Sequence, residues 1–122
     1  MAAHRNIRID LNADYELSVR WRPASIAGVQ QDPHLLSDAE MQVRLTEDAS
    51  TPLITASVDN GFITLDSELN GAWANIVIPK ATLELVTYYG VASYDIVVTR
   101  DSDSRIKRLL DGSAVLSQGT TR

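Results

Sequence analysis

Ser93–Gln118 reads SYDIVVTRDSDSRIKRLLDGSAVLSQ, and its patterning decides the fold. Tyr94, Ile96 and Val98 alternate with Asp95, Val97 and Thr99. That period, carried by β-branched and aromatic side chains, marks a half-buried strand. Arg100–Ser104, RDSDS, holds no apolar residue and reads as a polar turn. A second extended run starts at Ile106 and continues to Leu116, with a bend expected at Asp111–Gly112. Strands joined by so short a loop pair antiparallel. The stretch is therefore a hairpin, which organises a fold without naming a reaction.

The chain ahead of it repeats the same signal. Ile7, Ile9 and Leu11 alternate with Arg8 and Asp10, and Tyr15, Leu17, Val19 and Trp21 form a second apolar row. The short polar side chains of Asn12–Ala13–Asp14 suit a turn between them, so an N-terminal hairpin is expected. Pro23 ends the second strand, because proline cannot donate to a ladder. Ala24–Asp38 follows as the longest irregular stretch; a loop of that length is usually functional or disordered, and here a surface loop carrying a contact is expected. Ala39–Glu47 places Met41, Val43 and Leu45 on one face of a strand. Leu53–Val58 and Phe62–Asp66 flank Asp59–Asn60–Gly61, a tight-turn signal that predicts another hairpin. Ser67–Gly71 is a polar turn, Ala72–Ile78 a strand ended by Pro79, and Ala81–Val86 a short helix or helical turn. Short strands with turns every few residues and one short helical connection predict an all-β, Ig-like antiparallel β-sandwich. The Cys–Trp–Cys pattern of antibody domains is not part of it.

The 122 residues suit one domain, 1–122, with a polar tail at 119–122. The absence of cysteine removes disulfides, thiolate nucleophiles and cysteine zinc sites, and fits synthesis in a reducing cytoplasm. No apolar run reaches the roughly 18 residues of a membrane span, and the opening MAAHRNIRIDLN is expected not to be a signal peptide. A net charge of −5 disfavours direct binding to nucleic acid.

No constellation points to catalysis, a cofactor or a metal. Triad chemistry needs a nucleophile, a base and an orienting group. His34, with Ser37 and Asp38 nearby, reads as a solvated loop histidine, and His4 lies near the start. Asp101–Ser102–Asp103 has oxygen ligands but no calcium-loop glycine and glutamate after it. Glu16, Asp48, Glu68 and Asp95 are spread over separate turns and faces, not paired as glycoside hydrolysis requires. Arg105, Lys107 and Arg108 read as a salt-bridged strand edge beside Asp101 and Asp103. Trp21 and Trp73 occupy strand positions typical of core. The candidate interaction patch is the loop around Gln30, His34 and Leu35 together with Tyr88 and Tyr89, and the Asp101 and Asp103 turn as a further contact.

The stretch IRIDLNADYELSVRW and the closing segments Tyr94–Thr99 (YDIVVT), Arg108–Gly112 (RLLDG) and Ser113–Leu116 (SAVL) together resemble a group of small bacteriophage virion proteins. These are Ig-like β-sandwiches found around tails and baseplates. In that group the first turn is commonly Arg-Gly-Asp; here it is Asn12–Ala13–Asp14, with only the acid in common. The resemblance implies a non-enzymatic structural protein of a tailed phage, in the tail, baseplate or tail-fibre attachment. It implies virion proteins as partners, several copies in a symmetric assembly, and a virion location after synthesis in the host cytoplasm. It carries no catalytic residue. A capsid decoration or cement protein is the near alternative. A carbohydrate-binding module is the other, and it requires Trp21 and Trp73 to be outside the core.

Overall fold

A computed structural model describes residues 3–23, 25–66 and 72–118. The closing stretch folds as the hairpin its alternation predicts. Its strands, β8 (Gly90–Arg100) and β9 (Ile106–Ser117), pair antiparallel from Gly90–Leu116 to Thr99–Ile106. Ile96 faces Leu110 while Val97 faces Arg108, so Leu109 is the extra residue of a bulge. The strand runs unbroken through Asp111–Gly112, and its irregularity sits at Leu109 instead of at the expected bend.

The other strands are β1 (Ala3–His4), β2 (Ile7–Asp10), β3 (Tyr15–Val19), β4 (Leu36–Arg44), β5 (Ile54–Ser57), β6 (Ile63–Leu65) and β7 (Ala74–Ile78). One sheet has the order β1-β9-β8-β4-β5, with β2 also on β9; the other has the order β3-β7-β6. This is an Ig-like β-sandwich. It is antiparallel except at one rim, where β1 and β2 run parallel to β9.

Both remaining hairpin expectations are corrected. β2 joins the large sheet and β3 pairs with β7 in the small one, so Asn12–Ala13–Asp14 carries the chain across the sandwich. Likewise β5 pairs with β4, and β6 with β7. The Asn60 side chain accepts from Ser57 N and Phe62 N and donates to Thr55 O, and Gly61 has φ +85°. The turn chemistry was right, but a tight turn reverses the chain without choosing its next sheet. β4 begins at Leu36, inside the expected loop, with an irregularity between Leu36 and Asp38. The helix, α1 (Lys80–Leu83), is a single turn starting just after Pro79. Its first N–H is taken by Asp14 Oδ1 at 2.7 Å. The turn expected at Ser67–Gly71, with Glu68, and the tail at 119–122 lie outside the described residues.

Alternation places the core between the sheets. Met41 and Val43 of β4, Tyr94, Ile96 and Val98 of β8, and Leu116 of β9 meet Ala74, Ile76 and Ile78 of β7, all buried. Removing each large aliphatic from water contributes about 1.5–3 kcal/mol. The parallel rim is held differently. Gly112, at φ +151°, lies so close to the backbone passing over it that a Cβ there would be 2.3 Å from Arg5 O. That carbonyl accepts from Tyr94 Oη at 2.6 Å, while Arg5 N donates to Asp111 O at 2.9 Å and Ser113 N to Asn6 Oδ1 at 3.2 Å. The glycine of RLLDG is thus the point where the link between β1 and β2 comes closest to β9.

Candidate functional site

Trp21 follows β3 with its ring turned to the interior, 8% exposed. The β8–β9 hairpin and the loop before β4 bring three groups onto that ring. His34 meets it edge-on, with centroids 5.0 Å apart and planes at 80°. The Arg100 guanidinium carbon is 5.0 Å and Lys107 Nζ 5.3 Å from its centroid. Cations over an indole face are attracted by its quadrupole. Backbone bonds fix the approach: His34 N donates to Trp21 O at 2.8 Å, and Asp101 N to Leu35 O at 2.9 Å.

Arg100 links this cluster to the turn. Its Nε and Nη2 donate to the two carboxylate oxygens of Asp103 at 2.9 and 2.5 Å. Asp103 also accepts from Arg105 N. These hydrogen bonds, that from Arg100 foremost, hold the Asp103 carboxyl at a pKa of about 2. The remaining Arg100 nitrogen, Nη1, lies 3.2 Å from His34 Nε2. Guanidinium can only donate, so Nε2 accepts and the imidazole is neutral. Partial burial, then the charge of Arg100 and, less strongly, that of Lys107 push the His34 pKa down, against the pull of Asp103.

The structure therefore joins His34 and Leu35 to Asp101 and Asp103 at one end of the sandwich. Gln30 is at the same end, exposed beside a small tip in which Ile26 and Val29 exchange backbone bonds of 3.1 and 2.9 Å. Ala27 and Gly28 between them have φ +53° and +80°, the pair of positive values that a type I′ turn requires. Tyr88 and Tyr89 do not join this patch. They precede Gly90, at the far end of β8 from Arg100, about 30 Å away along the strand. Tyr88 Oη donates to Val91 O at 3.0 Å, and Tyr89 Oη accepts from Gln118 Nε2 at 2.8 Å.

The basic cluster divides. Lys107 turns to Trp21, while Arg108, its neighbour on the opposite face, pairs with Asp95 at 3.2 Å. Asp103 forms its salt bridge with Arg100, and from the cluster it takes the backbone N–H of Arg105. Among the described residues no three potential ligands gather as a metal site. Trp21 is core, as its strand position predicts; Trp73 is half-buried, and the Arg20 guanidinium carbon lies 4.3 Å from its ring centroid. Arg20 and Arg100 were missed by sequence reasoning. Their only signal was a cation at a strand end, which does not reveal the ring it meets.

No family model matches the chain. No curated protein matches it. Among solved structures, the chain is similar to that of the NK cell receptor Nkp44, described as a triggering partner in natural cytotoxicity, with 11% identity, 96% of this chain and 99% of that chain covered, and a TM-score of 0.46.

Proposed function

We propose that this chain is a non-enzymatic structural protein of a tailed bacteriophage particle, working in the tail, baseplate or tail-fibre attachment by binding neighbouring subunits. The resemblance of its opening and closing strands supports the identity. One observation supports the mode of action: most of the exposed large apolar side chains lie at the two ends of the long strands. Ile26, Val29 and Ile106 are at the Trp21 end and Leu45, Tyr89 and Val91 at the other, while Leu85 follows α1 and Val77 is on the outer face of β7. Scattered exposed apolar residues need no explanation, but grouped ones mark interaction sites. A rigid block with a contact at each end suits repeated packing in a symmetric assembly, where each weak contact is multiplied.

The carbohydrate-module reading is weakened, because Trp21 is core and Arg20 lies over Trp73. Mass spectrometry of purified particles, with heads and tails separated, tests the proposal. The chain is expected in the tail fraction at a fixed ratio to the major tail protein. Recovery with tail-free heads would make it a decoration protein, and absence from intact particles would end the virion reading.

A further inference from the structure

The small sheet stops at β3: among the described residues no strand pairs with the edge of β3 away from β7. Immunoglobulin-type sandwiches place a further strand there. With none there among the described residues, the inner face of β3 is less covered than that of β7. Tyr15 and Leu17 are half-buried, whereas Ala74, Ile76 and Ile78 on the adjacent strand are buried. Across the gap, the Ile106–Leu109 edge of β9 is also unpaired among the described residues, because β1 begins its pairing at Leu110. Between these edges lies a groove of about 430 Å³. Val19, Trp21 and Leu110 are its apolar residues toward the core, Trp73 and Leu109 flank it, and Arg20, Arg22 and Lys107 supply its charge. No carboxylate lines it, although the chain carries 16 acidic residues against 11 basic ones.

We propose that this groove takes an extended acidic segment of a neighbouring protein, which adds to β3 as a fourth strand. Unpaired backbone groups on a strand edge are a template for another chain. Strand alternation then sorts the incoming side chains. Apolar residues point toward Tyr15, Leu17 and Val19, and carboxylates take the outer face with Arg20 and Arg22, where Glu16 is the one acidic side chain of β3; Lys107, over Trp21, borders the groove from β9. A segment matching the five residues of β3 spans about 17 Å. The backbone edge favours a peptide over a sugar or a lipid headgroup, which could use the cations but not the ladder. This docking depends on the fold and the groove, whichever particle the chain belongs to.

The probe is an end-blocked octapeptide alternating Glu and Val, with its Lys–Val counterpart as control, titrated into the full chain. The acidic peptide is expected to bind, to slow amide exchange along β3 and to shift Trp73 emission. Affinity should fall about tenfold in the Arg20→Glu, Lys107→Glu double variant and with rising salt. It should persist in Arg20→Lys and in Arg108→Glu, whose site is on the other face. Circular dichroism verifies that each variant is folded. Failure of the acidic peptide to bind at millimolar concentration would overturn the proposal. So would equal binding of the basic peptide, or binding that survives the double reversal. An acidic oligosaccharide or anionic vesicles binding at Arg20 and Lys107 without protecting β3 would overturn it as well.

Discussion

Replacing Gly112 by alanine tests how the first strands are locked to the last. The new Cβ would stand 2.3 Å from Arg5 O and 2.9 Å from Arg5 C, both backbone atoms. Ordinary contact begins near 3.5 Å, so the Arg5 peptide must retreat by about 1 Å. Three hydrogen bonds depend on its present place: Tyr94 Oη to Arg5 O, Arg5 N to Asp111 O, and Ser113 N to Asn6 Oδ1. Each contributes about 1 kcal/mol net. An alanine at positive φ adds about 1 kcal/mol or more. The expected loss is about 3–5 kcal/mol, a large share of a stability of about 5–15 kcal/mol. At about 4 °C per kcal/mol for a chain of this size, melting should fall by roughly 10–20 °C. Gly61→Ala is the control: φ is +85° but nothing lies within 4 Å of the added Cβ, so only the conformational part remains. Urea unfolding of both variants measures the difference. If Gly112→Ala lost no more than Gly61→Ala, the close backbone approach would not be what holds this rim.

Ile96→Ala, which empties a fully buried position in β8, should cost about 2–5 kcal/mol in the same urea assay. Asp14→Ala removes the acceptor of Lys80 N and should cost about 1 kcal/mol, with faster amide exchange at Lys80 as its local sign. His34 has its pKa lowered by partial burial and by Arg100, so the fold prefers the neutral ring. Its contribution is therefore complete above the unfolded value near 6.5 and declines as pH falls below that value toward the folded one. Melting from pH 7.5 to 5 should show this decline, and His34→Gln should remove that part of it. An imidazole proton titrating at 6.5 or higher by NMR would contradict the arrangement. Asp103, at a pKa of about 2, acts in the same direction but in a separate window, between about 4 and 2.

Strand alternation was legible along the middles of strands with one buried face, whereas Leu45, expected on the face of Met41 and Val43, is exposed beyond the end of β4. Tyr94, Ile96 and Val98 point inward as their spacing requires, and so do Ile7 and Ile9. Sheet membership was not legible, because the apolar rows of β2 and β3 face the same core from opposite sheets. Nothing local distinguishes that from a hairpin. The Asn60–Gly61 turn shows the same limit: its side-chain bonds are local, while the choice between β4 and β7 as partner is made by distant residues. The Trp21 cluster draws on positions 21, 34, 100 and 107, and which cation meets the ring depends on the register of β8 and β9 around a bulge. Gly112 stood out within RLLDG, but its reason, the Arg5 carbonyl, is at the other end of the chain. The loop end was marked by length alone, and its apolar tip at Ile26–Val29 was not, because Ala-Gly is a weak signal for a type I′ turn.

The parallel rim also sets a timetable for synthesis. Asn6 and its partner Ser113 are 107 positions apart, so β1 and β2 emerge from the ribosome long before the strand they join. Contacts of such long range are formed slowly, because closing a large loop costs entropy before any bond is gained. Until β9 is made, Ile7, Ile9 and Leu11 have no partner strand, and the nascent chain carries a sticky, unpaired segment. Arg8 and Asp10, alternating with those residues, charge the strand's other face, and charge on an unpaired strand disfavours its pairing with copies on neighbouring ribosomes.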